Sequence, residues 1–143
     1  MGVRMKVAFG CYLLLTISLA VLGVSFLLRT EFTSYHSIAV GMPWSEVSSQ
    51  FQVLILALIK LAGGLWVALA LSIFVLLLVP FREGARWSQF AIPAILVFQY
   101  VAIMPAMAHA TLHTPATPPW IPTIGAIVVA VVAFAISVTG TKR

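Results

Sequence analysis

Lys60 is the side chain whose type and position point most directly to chemistry, because it interrupts an apolar run over residues 53–79. An ionisable residue inside a membrane segment is by default a hypothesis for a functional site. Its helical neighbour Gly63 suggests that this face packs against protein, so we expect a carboxylate partner, Glu31 or Glu46. Two alternatives stay open: a lysine that binds a ligand or lines an ion pathway, and a lysine that only extends to the interface.

Aromatic and acidic side chains near the same end of the apolar runs predict a pocket around this lysine. Such a pocket would bind a small lipophilic or cationic molecule. Its candidate ligand-binding residues are Lys60, Tyr35, Trp44, Trp120, Glu31 and Glu46.

Imidazole and thioether groups form a second candidate set, near the end of the third apolar run. Together these ligands suit copper, and His109 and His113 are one helical turn apart. On a continuous helix Met107 and His109 point to nearly opposite sides, so the whole set converges only if the helix unwinds. The candidate metal ligands are His36, His109, His113, Met104 and Met107. The alternative is that these histidines donate hydrogen bonds to loop carbonyls.

Gln99 lies near the middle of the third apolar run. A glutamine at that depth predicts either a hydrogen bond across helices or the lining of a small polar cavity. No nucleophile–base pair, glycine-rich phosphate loop or CxxC motif is present, and the three acids lie outside the apolar runs. We therefore predict no catalytic residues, and the sequence requires no cofactor.

The composition sets the class of protein that must position these groups. The chain has 143 residues, of which 62% are apolar and 8% are charged, whereas soluble domains are about 25% charged. With one cysteine, Cys11, it forms no intrachain disulfide. These values exclude a soluble enzyme, a disordered chain and a disulfide scaffold, and they indicate an integral membrane protein whose first partner is the lipid bilayer.

Four apolar runs approach or exceed the roughly 20 residues that a membrane-spanning helix needs. They cover residues 7–28, 53–79, 90–108 and 121–138. Because they occupy most of the chain, we predict one integral membrane domain over 1–143. Its fold class is all-α, a four-helix transmembrane bundle.

The basic residues predict how the bundle is oriented, because short cytoplasmic loops carry an excess of Lys and Arg. With four crossings, one side holds Arg4, Lys6, Arg82, Arg86, Lys142 and Arg143, and the other holds Arg29. Both termini are therefore expected to be cytoplasmic, with 29–52 and 109–121 on the outer side of the cell (inner) membrane. The first run is longer than the core of a signal peptide and is expected to be retained. The basic residues form no stripe, so we predict no nucleic-acid partner.

Small side chains repeat at helical spacing in the first and fourth runs. Such faces let helix backbones approach closely in lipid. The two predicted packing faces are Cys11, Ser18 and Ser25 in the first run, and Ala126, Ala130, Ala133 and Ser137 in the fourth.

Three segments resemble a family of small bacterial four-helix membrane proteins to which no reaction is assigned. They are Glu31–Trp44, with its Gly-Met-Pro-Trp end, Ile59–Gly64, and Pro80–Trp87. The resemblance implies a four-helix topology and no particular chemistry.

Three classes of function follow from these observations. The first expectation is a non-enzymatic accessory or structural component of a membrane assembly, with other membrane subunits or further copies of this chain as partners. The second is a binder or carrier of a small lipophilic or cationic molecule at the outer face. The third is an outer-face protein that handles a metal such as copper.

Overall fold

The computed structural model describes residues 1–139. Its five α-helices are α1 (Val3–Leu27), α2 (Ser34–Val40), α3 (Ser49–Leu76), α4 (Arg86–His113) and α5 (Trp120–Thr139). The four long helices are apolar and long enough to cross a membrane, and the segment 1–139 contains no strand. The all-α, four-helix bundle is therefore confirmed. The expected positions of Lys142 and Arg143 fall outside the described residues.

Several helix ends differ from the apolar runs that predicted them. The first helix begins at Val3, so Arg4 and Lys6 lie in its first turns rather than before it. The helix α4 continues through Pro93 and Pro105 as far as His113. Hydropathy does not mark these ends, because a helix extends into the interface with polar residues.

The link between α3 and α4 is a π-helical turn, Leu77–Phe81. Pro80 lies inside this turn. The chain reverses at Gly84, whose φ of 80° lies in the left-handed region that glycine tolerates.

The four long helices are ordered in space as α3, α1, α5 and α4. The helix α1 packs against both α3 and α5, and α5 packs against both α1 and α4. Apart from the π-helical turn, α3 and α4 make few direct contacts. Consecutive long helices in the chain are therefore not always neighbours in the bundle.

We call the end at which α1 begins and α5 ends the proximal end, and the opposite end the distal end. The most tightly packed part of the core lies in the proximal half, where Tyr12 and Phe81 are fully buried and pack edge-on, with ring centroids 5.7 Å apart. Ala130, Ala133 and Ser137 are buried on the same side, so the predicted packing face of the fourth span is confirmed.

The predicted packing face of the first span is wrong. Ser18 and Ser25 are exposed, and their hydroxyls donate to the carbonyl oxygens of Leu14 and Leu22 on their own helix. The buried face of α1 instead carries larger side chains and one glycine. Its members are Met5, Ala8, Tyr12, Leu15, Thr16, Leu19 and Gly23.

The helices α1 and α3 cross with backbone against backbone at Gly23 and Gly63. A Cβ built on Gly63 would lie 2.7 Å from the carbonyl oxygen of Gly23. Because neither backbone can yield, only glycine fits at this crossing. Gly64 faces more open space, since its nearest atom would be Leu27 Cδ2 at 3.9 Å.

Candidate ligand-binding cavity

Lys60 has a backbone partner rather than the expected carboxylate. Its Nζ donates to the carbonyl oxygen of Leu27, the last residue of α1, at 2.9 Å. The last carbonyls of a helix lack partners within the helix, and a cation is favourable there. The prediction of an ion pair with Glu31 or Glu46 is therefore wrong. Lys60 joins α3 to the end of α1.

The aromatic residues expected around Lys60 make separate local contacts. Trp44 packs edge-on against Phe32, with ring centroids 4.9 Å apart, and Trp120 Nε1 donates to Thr111 Oγ1 at 3.2 Å. The ring of Tyr35 lies against that of His36. Neither cavity described below is lined by any of the six predicted ligand-binding residues. The structure therefore does not bring that set together in a pocket.

The three imidazoles are divided between two places. The rings of His109 and His113 lie 4.3 Å apart on the exposed end of α4, as their spacing predicts. Met107 is buried, and its sulfur lies 3.8 Å from Thr123 Oγ1. Within residues 1–139, no three His, Cys, Asp or Glu side chains are close enough to share a metal ion. The five predicted metal ligands thus do not form one site.

His36 caps α2 instead. The Thr33 hydroxyl accepts from the backbone N–H of His36, and His36 Nδ1 accepts from the backbone N–H of Thr33, each at 3.4 Å. This reciprocal pair satisfies two otherwise free donors at the start of the helix. Burial, and to a smaller extent the charge of Arg29, lowers the pKa of His36. The neutral ring that the cap requires is therefore favoured at neutral pH.

A cavity of about 480 Å³ lies in the distal half of the bundle, and we call it the distal cavity. All four long helices contribute to its wall, including the ring of Trp66, which packs against Phe26 with centroids 4.8 Å apart. It is bounded by Leu15, Ser18, Leu19, Leu22, Phe26, Trp66, Gln99, Tyr100, Ile103, Pro119, Pro122, Thr123, Ala126 and Val129.

The side chains with polar groups in the wall of the distal cavity are Gln99, Tyr100, Ser18, Thr123 and Trp66, of which Trp66 has only its indole N–H. Of the two outcomes predicted for Gln99, the structure agrees with the lining of a cavity, although the wall is mostly apolar and not polar as expected. Within the described part of the chain, its amide makes no hydrogen bond to another helix. In the sequence, the position of Gln99 near the middle of the third apolar run was the signal that pointed to this residue. Trp66 also lines the cavity but was not among the residues predicted from the sequence, where nothing distinguishes it from a lipid-facing aromatic residue.

A second cavity of similar size, about 490 Å³, lies between α4 and α5 and differs in chemistry. Its wall is apolar throughout and consists of Phe90, Pro93, Ala94, Val97, Phe98, Val101, Val131 and Phe134. No polar group there would orient a ligand, so the distal cavity is the better candidate.

Comparison of the chain with protein-family models, with curated proteins and with solved structures finds no match. The resemblance to small bacterial four-helix membrane proteins therefore stays a prediction. The candidate site rests on the geometry and chemistry of the distal cavity.

Proposed function

We propose that this protein binds a lipophilic small molecule in the distal cavity, as a membrane-embedded binder or carrier. The observation that carries the proposal is the distal cavity, which lies among all four long helices and has an apolar wall with a few polar groups. Binding sites for small molecules commonly have volumes of about 300–1,000 Å³ and this kind of lining. The candidate site lies deeper in the bundle than the pocket expected around Lys60.

We place this activity in the cell membrane, with the distal end outward. The asymmetry of the basic residues supports that orientation, since Arg4, Lys6, Arg82 and Arg86 all belong to the proximal end.

Tryptophan fluorescence tests the proposal directly, because Trp66 lines the cavity. A variant with Trp66 as its one tryptophan carries Trp44→Phe, Trp87→Phe and Trp120→Phe. In detergent, 1-bromoundecane should quench Trp66 saturably, because bromine quenches indoles on contact. Ala126→Phe fills the cavity and should weaken the saturable quenching at least tenfold.

Ile124→Phe is the matched control, because Ile124 is on the same helix but 49% exposed and outside the cavity wall. It should leave the quenching unchanged. Quenching that never saturates, or that Ala126→Phe leaves intact in a folded protein, would contradict binding in the distal cavity.

The accessory role expected from the sequence makes a different prediction. Native mass spectrometry of protein extracted gently from its own membrane should then release accompanying chains without a small-molecule adduct. A lone chain or homo-oligomer that carries an adduct of constant mass supports the proposed binding.

A further inference from the structure

We propose that the ligand of the distal cavity is a neutral amphiphile. Its polar group is a hydroxyl or an uncharged carbonyl group, which forms a hydrogen bond with the side-chain amide of Gln99. This inference rests on the proposed function and specifies the chemical class of the ligand.

The polar groups of the cavity are not equally free to bind a ligand. The Ser18 hydroxyl already donates to a backbone carbonyl of its own helix at 2.9 Å, and the Thr123 hydroxyl donates to the Pro119 carbonyl just before α5 at 2.8 Å. Within residues 1–139, neither the Gln99 amide nor the Tyr100 hydroxyl makes a hydrogen bond, but a hydroxyl supplies only one donor. A glutamine amide offers two donors and one strong acceptor. Gln99 is therefore the group best able to recognise a polar atom in the cavity.

Because Gln99 lies deep in the bundle, a hydrogen-bond partner for its amide is energetically favourable. It lies near the centre of α4, about 20 Å from either end at a rise of 1.5 Å per residue. In the hydrocarbon region an amide without a hydrogen bond is costly, because no water compensates for it. A purely apolar ligand would cover the amide without satisfying it. A ligand with a matching polar group removes that cost.

The distribution of charge argues that the polar group is neutral. Among residues 1–139, no Asp, Glu, Lys, Arg or His lines the cavity. The nearby cation Lys60 is engaged with the Leu27 carbonyl, and the three acids, Glu31, Glu46 and Glu83, lie outside the four apolar runs. An unpaired charge in a low-dielectric cavity would be strongly disfavoured. This chemistry argues against a cation and against a phospholipid headgroup, although a lipid tail would still fit.

The route into the cavity also suits an amphiphile. Ser18 and Leu22 line the cavity and are exposed, Leu22 by 45%, so the cavity is open along the side of α1. Both residues lie within α1, which is apolar and long enough to cross a membrane, so in a bilayer this opening would face hydrocarbon. The ligand therefore partitions into the bilayer first and then reaches Gln99 from the side.

Matched probes test the inference in the variant that retains only Trp66. The probes are 11-bromoundecanamide, 11-bromo-1-undecanol and 1-bromoundecane, which share one chain and differ in the head. With concentrations expressed as mole fractions in the micelle, the amide and the alcohol should bind about tenfold more tightly than the bromoalkane. Gln99→Leu should reduce this ratio to about one while bromoalkane binding changes less than twofold.

Gln99→Met is a second variant of similar length, for use if Gln99→Leu does not fold. Ser25→Ala is the control, and it should preserve the ratio because Ser25 lies outside the cavity wall and its hydroxyl donates to the Leu22 carbonyl on its own helix. Equal binding of all three probes would overturn the inference and leave binding in the cavity intact. A preference that survives the loss of the amide would overturn the role of Gln99.

Two further outcomes are distinguishable. A brominated-chain phosphatidylcholine that quenches Trp66 as tightly as the amide probe would identify a lipid tail as the occupant and overturn the inference. If no probe quenches saturably, the proposed function itself fails, and the inference fails with it.

Discussion

The α-carbons of Gly23 and Gly63 face each other so closely that a methyl group on either would lie within 2.8 Å of the other's carbonyl oxygen. This contact holds α1 against α3 beside the distal cavity. Because backbone atoms make this contact, a change of side-chain rotamer cannot relieve the clash that an added methyl group would cause.

Gly63→Ala should therefore destabilise the bundle by about 1–3 kcal/mol, the usual cost of overpacking a close contact. Gly64→Ala is the matched control on the next residue, where the nearest atom is 3.9 Å away. That change should be neutral or stabilising by up to about 1 kcal/mol, since alanine favours helix over glycine. Thermal or denaturant unfolding in detergent measures both, and equal stability of the two variants would contradict the close crossing.

Lys60→Met should lower the free energy of unfolding by about 1 kcal/mol, because the Leu27 carbonyl loses its side-chain donor. The effect stays modest because Lys60 is exposed. Glu31→Gln and Glu46→Gln should leave stability unchanged, since neither carboxylate is the partner. A loss of stability in either glutamine variant that matches the loss in Lys60→Met would restore the ion-pair interpretation.

The cap of α2 should weaken in mild acid. The pKa of His36 is lowered in the folded protein, so the unfolded chain binds more protons between the folded pKa and the ordinary value of about 6.5. The stabilisation is therefore complete above about pH 6.5 and is lost as the pH falls toward the folded pKa. Below that value Nδ1 is protonated and no longer accepts the Thr33 N–H.

Hydrogen exchange of the α2 amides measures this loss, with faster exchange expected at pH 5 than at pH 8 after correction for the intrinsic rate. His36→Gln keeps a capping side chain at the same position without a titrating ring. Its α2 protection should not depend on pH over this range. The same pH dependence in the glutamine variant would assign the effect to another group.

Tyr12→Ala should be the most damaging of these changes, at about 3–5 kcal/mol, because it removes a fully buried ring that packs against Phe81. Leu14→Ala is the control on the same helix, since Leu14 is 63% exposed and faces outward. In detergent it should cost little. Comparable losses would show that the outward face of α1 is also packed, as in an oligomer.

Sequence reasoning predicted what depends on local pattern. Hydropathy located the four spans, and helical spacing identified Ala130, Ala133 and Ser137 as buried. The depth of Gln99 marked it for a polar role, but it left open whether the amide would bond another helix or line a cavity. Sequence reasoning failed where the angle between two helices determines which face of a helix is buried. The repeat of Ser18 and Ser25 is regular, yet α1 turns Gly23 toward α3 instead, and hydroxyls bonded to their own helix need no interhelical partner.

For a related reason, the sequence could not predict the partner of Lys60 or the existence of the distal cavity. A free carbonyl at the end of α1 carries no sequence signature, because every helix ends with such groups. The cavity depends on which helices are neighbours, and the order α3, α1, α5, α4 differs from the order in the chain. Trp66 gave no signal, because an aromatic residue in an apolar run has the same pattern whether it faces lipid or a cavity.

That spatial order also has a consequence for biosynthesis. The pair α1 and α3 can associate through Gly23 and Gly63 as soon as the first half of the chain is inserted. Since α5 is made last and provides both the neighbour of α4 and the second neighbour of α1, the wall that includes Thr123 and Ala126 is completed only then. A chain that stops before α5 would retain its first helix pair and have no closed ligand site.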